Sequence, residues 1–125
     1  MSNDALISHI DEIETYSPPM HSGTVNRRLV EAAFGAGIEV IYGILDPKDG
    51  AGHRHYHETE WQIVLMLEGE GRIELGSDPA VTVRAGSILL IPPKVPHYFE
   101  VTSETPAKLL VIYSPPLQPE GFVPA

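Results

Sequence analysis

The sequence predicts an all-β protein: one domain of short antiparallel strands, folded as a sandwich or barrel. Three observations carry this. Segments of about four to eight residues rich in β-branched, aliphatic and aromatic side chains recur along the chain. Gly and Pro, 11 and 12 of them, are concentrated between these segments. Among the segments there is no helical pattern of about 10–15 residues, which a parallel α/β sheet would need.

The elements follow in chain order. Residues 4–14 place apolar side chains at 6, 7, 10 and 13, the spacing of a short helix with Asp4 as its N-cap; an extended arm is the alternative. Strands are expected at 24–30, 38–45, 52–57, 61–67, 72–75, 81–83, 87–91, 97–101 and 108–113. Turn residues separate them at 46–50, 68–71, 76–79, 92–93 and 103–106. The segment 61–67 is apolar on both faces, with Val64 and Met66 on one and Ile63, Leu65 and Leu67 on the other. One face should look into the barrel, and the other then needs cover from a second sheet, the N-terminal arm or a second subunit, which points to a homodimer. The proline-rich tail 114–125 should run as an extended cover segment. The chain thus divides into an arm and first strand (1–36), a barrel core (37–113) and a tail (114–125), one domain overall.

Composition narrows the function. The chain has 125 residues, enough for one hydrophobic core, and no cysteine. Disulfides, thiolate catalysis and Cys-type zinc sites are therefore excluded. With 8 Lys and Arg against 17 Asp and Glu, the net charge is −9, which argues against nucleic acid or an anionic membrane as the main partner. No apolar run approaches the ~20 residues of a membrane span. The N-terminus has neither the basic start nor the apolar centre of a signal peptide, so a cytoplasmic location is expected.

The chemistry concentrates in Gly52-His53-Arg54-His55-Tyr56-His57-Glu58-Thr59-Glu60-Trp61-Gln62. On a regular strand, His53, His55 and His57 project to one face. Buried imidazoles need a partner at each ring nitrogen, and a metal ion meets that need directly. His97 follows the second apolar block, in Pro92-Pro-Lys-Val-Pro96-His97.

These residues form His55-x-His57-x4-Gln62-x6-Gly69 and then Gly86-x5-Pro92-x4-His97. Together they resemble the two-part signature of the cupins over residues 37–113. The resemblance implies a jelly-roll barrel holding one divalent metal inside. His55, His57, Gln62 and His97 take the ligand positions, with His53 an additional ligand, a donor to a ligand or a solvent-facing residue. Three departures stand out. Gln62 occupies the position where the family usually has Glu, Gly50 lies one residue closer to His55 than the pattern expects, and Val101 replaces a frequent Asn. In an alternative register, His53, His55 and Glu60 are the first-motif ligands; the interval to Gly69 favours the set containing Gln62.

Three neutral imidazoles and a neutral amide would leave the full charge on the ion, suiting it to act as a Lewis acid on a carbonyl or enolate oxygen. Such ligation suits Zn, Ni, Fe, Mn or Cu. The resemblance implies a lyase, isomerase or cyclase acting on a small oxygenated molecule, akin to aromatic polyketide cyclases or to enzymes that linearise unsaturated uronates. The runs Thr24-Val-Asn-Arg-Arg-Leu-Val30 and Tyr113-Ser-Pro-Pro116 lean toward the former. A non-haem iron or copper dioxygenase and a non-catalytic ligand-binding barrel are the alternatives. Glu60, Tyr42 and Tyr98 are candidate acid–base groups, with Arg54 and His21 behind them. Met66, Phe99 and Trp61 are expected to line the core or cavity.

Overall fold

The computed structural model describes residues 5–47 and 49–125. Among the described residues there are thirteen strands: β1 (Thr15–Tyr16), β2 (His21–Ser22), β3 (Thr24–Val30), β4 (Glu39–Leu45), β5 (Ala51–Gly52), β6 (His55–Tyr56), β7 (Trp61–Glu68), β8 (Glu70–Leu75), β9 (Val81–Arg84), β10 (Ile88–Ile91), β11 (His97–Val101), β12 (Ala107–Ser114) and β13 (Val123–Pro124). One sheet has the order β1-β3-β4-β12-β7-β10; the other has β13-β6-β11-β5-β2, with β8 also on β11 and β9 on β8. Every pairing is antiparallel, and the two sheets form the jelly roll.

Side-chain alternation fills the space between the sheets. β4 turns Glu39, Ile41, Gly43 and Leu45 inward, and Val64 and Met66 of β7 join them. Leu45, Val64, Met66, Ile73, Val83, Leu89, Ile91, Val101, Ala107 and Leu109 form one buried cluster. The β7–β8 turn depends on Gly69, whose φ is +85°. A Cβ there would also lie 2.8 Å from Ala107 Cα, so only glycine fits both the turn and the crossing strand.

Several expectations change. Instead of a helix over 4–14, the described part has a single 3₁₀ turn at Ile10–Glu12, and Leu6 and Ile7 are exposed. With nothing to cover its apolar side, so short a helix gains too little to offset nucleation; Asp4, its expected cap, lies outside the described residues. His9 instead caps the 3₁₀ turn, its Nδ1 accepting from Asp11 N at 3.1 Å.

The single strand expected at 52–57 is two. β11 pairs Glu100 with Ala51 and His97 with His55, so four steps on one strand match three on the other. That extra residue is a bulge, and it breaks the alternation that would have put His53 on the face of His55.

The outer face of β7 shows Trp61, Ile63 and Leu67 to solvent, beside Ile88 and Leu90 of β10. Trp61, 56% exposed, lies outside the cavity that His55 and His97 line, and Met66, 1% exposed, belongs to the core rather than to that cavity's wall. No helix among the described residues is long and apolar enough to cross a membrane.

Candidate metal centre

β6 and the residues after it place His55 and His57, and β11 places His97 directly opposite His55. The three rings are buried, with centroids 4.4 Å (His55–His97), 5.0 Å (His55–His57) and 5.3 Å (His57–His97) apart. One ring nitrogen from each lies within 4.8 Å of the others.

The backbone sets the tautomer of all three. His55 Nδ1 lies 2.6 Å from His53 O, His57 Nδ1 2.7 Å from Gly121 O, and His97 Nδ1 3.0 Å from Val95 O. A carbonyl can only accept, so each Nδ1 carries the proton and each Nε2 presents a lone pair. His97 Nε2 is buried without a hydrogen-bond partner. His57 Nε2 faces Gln62 Oε1 at 3.1 Å; with the amide oxygen inward, two acceptors abut. Converging lone pairs with no donor between them are what a cation satisfies, and anchored Nδ1 protons are the support that metal-bound imidazoles receive. The residues fit a divalent ion.

Protonation does not compete at neutral pH. Burial pushes the His55 pKa down to about 3 and that of His97 to about 4, in both cases against the backbone hydrogen bond and with help from neighbouring imidazoles. Burial lowers His57 as well, against its bond to Gly121 and the nearby Glu60 carboxylate. All three are neutral and ligand-competent.

The other expected site residues lie as follows. His53 is exposed at the cavity mouth; its carbonyl, not its ring, orients His55. Glu60 is 1% exposed and turned to the tail, its Oε2 accepting from Gln118 N at 2.9 Å and its Oε1 from Thr59 N and Oγ1. Burial raises its pKa, but those hydrogen bonds outweigh it and leave the carboxylate below its usual range. Glu60 thus lies outside the histidine cluster, as a bridge between the β6–β7 turn and the tail. Tyr42 alternates out of the interior between Ile41 and Gly43. Tyr98 also faces outward, donating to Glu100 Oε2 at 3.0 Å. Arg54 is engaged outside the cavity by Gly76 O and by Glu74 at 3.7 Å. Phe99 lines the cavity wall, and so does His21, whose ring lies edge-on to His55 at 5.7 Å.

Two neighbours of the site went unassigned in the sequence. Phe122, from the tail, packs on His55 at 4.9 Å and on His57 at 5.1 Å. Tyr113 lies 5.2 Å from the His57 ring and pairs in register with Gln62; burial raises the pKa of its phenol. The parity of β12, with Leu109, Val111 and Tyr113 on one face, was a usable signal for Tyr113. The tail carries no such signal, since its position depends on Gly121, Gln118 and Leu117 bonding to distant residues. Beyond the imidazoles opens a cavity of about 130 Å³.

An antiparallel jelly roll with a buried imidazole cluster at one end defines a β-barrel with a candidate metal pocket. The chain belongs to the cupins: the family model described as a cupin domain matches residues 42–113. An uncharacterized protein of Methanocaldococcus jannaschii is 31% identical over 107 residues, covering 86% of this chain and 74% of that protein. The polyketide cyclase RemF from Streptomyces resistomycificus superposes with a TM-score of 0.82 at 19% identity, covering 98% of this chain and 86% of its own. Ectoine synthase from P. lautus gives 0.78 at 18% identity, with 97% and 90% covered. At these identities the two structures speak for the fold alone.

Proposed function

We propose that this cupin is a metal-dependent enzyme of non-redox type, a lyase, isomerase or cyclase acting on a small oxygenated substrate. The observation that carries it is the set of three Nδ1-anchored imidazoles with converging lone pairs, one of which, His97 Nε2, is buried and unpartnered. His55, His57 and His97 would hold the ion, with Gln62 as an amide ligand that a chelating substrate can displace. When bound, the ion supplies an uncompensated double positive charge that polarises a carbonyl or enol oxygen.

The protein's own residues supply the rest. Tyr113 stays protonated because its buried phenol resists ionisation, so it can donate a hydrogen bond to substrate oxygen beside His57. Phe122 roofs two of the three imidazoles and keeps water off them. Cavity size bears on the substrate. A volume of about 130 Å³ is near the ~150 Å³ that holds a single benzene ring. This supports a one-ring or shorter substrate, such as a sugar acid, over a multi-ring polyketide.

Metal analysis with oxygen uptake tests the reading. Zinc or another divalent ion at one per chain, no oxygen consumption, and Tyr113→Phe that keeps the metal but loses turnover are expected. Iron with substrate-dependent oxygen consumption would replace it with the dioxygenase reading. We also propose a second copy of this chain as the cover for the apolar face of β7 and β10, because Trp61, Ile63, Leu67, Ile88 and Leu90 stand exposed side by side there. Light scattering should give twice the chain mass; a monomer at micromolar concentration would refute it.

A further inference from the structure

Across the inner face of the six-stranded sheet runs a line of polar side chains that leads away from the imidazoles. Gln62 on β7 is in register with Tyr113 on β12, and Tyr113 with Glu39 on β4. Glu39 Oε2 then accepts from Arg28 Nε on β3 at 3.2 Å. Polar groups cluster around Arg28 too. Its guanidinium lies 3.9 Å over the Tyr16 ring, and Tyr16 pairs in register with Asn26. Asn26 occupies space that Gly43 leaves free: a Cβ at 43 would come within 2.8 Å of Asn26 Oδ1. Arg28, Asn26 and Tyr16 all line the same cavity as Gln62 and the imidazoles.

This arrangement is more than an ion pair closing the barrel. The Glu39 side chain is 10% exposed and also accepts from Leu117 N, whereas the Arg28 side chain is 46% exposed at the cavity mouth. The stack on Tyr16 and the single bond from Nε fix the guanidinium plane and leave its paired Nη edge, the edge that takes a carboxylate with two parallel hydrogen bonds. Three strand intervals of about 4.8 Å and, because Arg28 pairs with Ile41 rather than Glu39, a two-residue offset of about 6.8 Å put the Gln62 and Arg28 backbones about 16 Å apart; both side chains line the cavity and reach into that span. Charge is arranged to match: an ion's double charge would lie at one end and the guanidinium at the other, the latter offset in part by Glu39.

We infer that the substrate is a compact anion with two ends, a chelating pair of oxygens for the metal and a carboxylate for Arg28. The inference rests on the metal reading above and deepens it by assigning Arg28 as the residue that selects an acidic substrate. Asn26 and Tyr16 position it.

Two probes that share the same chelating end separate the possibilities. In 2-oxoglutarate and 2-oxopentanoate the chain is equally long, about 5 Å from C1 to C5 with C–C bonds of about 1.5 Å, and only the former ends in a second carboxylate. Calorimetry would use zinc-loaded parent, Arg28→Gln, and the double variant Arg28→Gln/Glu39→Gln, which removes both charges together and leaves no orphaned carboxylate. In the parent, 2-oxoglutarate should bind about tenfold tighter than 2-oxopentanoate, the order expected for one charge-assisted contact beside a competing carboxylate. In both variants the ratio should fall to about one, with zinc content and 2-oxopentanoate affinity unchanged. Equal affinities in the parent, a ratio retained in the variants, or no binding of either probe to zinc-loaded protein would overturn the inference. Failure to take up zinc would instead refute the metal reading, and with it this one.

Discussion

Acid should unfold the metal-free protein well before its carboxylates titrate. In the folded chain burial holds His55 at about 3 and His97 at about 4, against 6.5 for an ordinary histidine. Above pH 6.5 both are neutral, folded or unfolded, and contribute no pH dependence. As pH falls below 6.5 the unfolded chain takes up protons that the folded chain refuses, so stability declines until the folded values are reached. At pH 5 the gap is about 1.5 pH units for each group, or about 2 kcal/mol apiece at about 1.36 kcal/mol per unit. The loss of about 4 kcal/mol is a large share of the ~5–15 kcal/mol that stabilises a typical domain. Burial lowers His21 and His57 as well, which adds to the loss. Glu60, held low, acts only at more acid pH, where its stabilisation is lost as it protonates. Urea unfolding in chelator at pH 7.5 and 5.0 measures the difference. The midpoint should drop by on the order of 2 M for m near 2 kcal/mol/M, and His55→Asn/His97→Asn should flatten most of that dependence. A change below about 1 kcal/mol between the two pH values would show that the imidazoles are not buried neutral, and the tautomer argument would fail with it.

Further substitutions separate ligand from scaffold. Gln62→Ala should weaken zinc binding by on the order of tenfold with little effect on folding, whereas Glu60→Ala should leave zinc stoichiometry intact and cost about 1–3 kcal/mol by orphaning Gln118 N; zinc and urea titrations read both, and the opposite pattern would restore the register with Glu60. Gly69→Ala, forced to φ +85° and against Ala107, should cost about 2–4 kcal/mol; a urea midpoint within error of the parent would contradict the role given to that turn.

Much of the barrel was legible because strand parity is a local signal. The runs at 61–67, 97–101 and 108–113 each carried their inward residues at alternate positions, and the structure turns Val64 and Met66, His97 and Val101, Leu109 and Tyr113 inward accordingly. Periodicity put His55 and His57 on one face, and the resemblance to the two cupin motifs added His97. Parity failed at His53 because a one-residue bulge is a property of two paired strands, invisible in either alone. It also went unused at Tyr42 and Tyr98, whose neighbours at 41, 43, 97 and 99 already claimed the interior. Glu60 and Phe122 were beyond local reading for a different reason. Their positions depend on the tail folding back over the site, a long-range contact that no spacing encodes.

Zinc K-edge X-ray absorption on the zinc-loaded parent tests the central claim most directly. Three imidazole shells at about 2.0–2.1 Å with one further light oxygen scatterer, reduced to two imidazoles in His97→Ala, is the predicted result. A spectrum without imidazole scattering, or one that His97→Ala leaves unchanged, would contradict the assignment of His55, His57 and His97 as the metal centre.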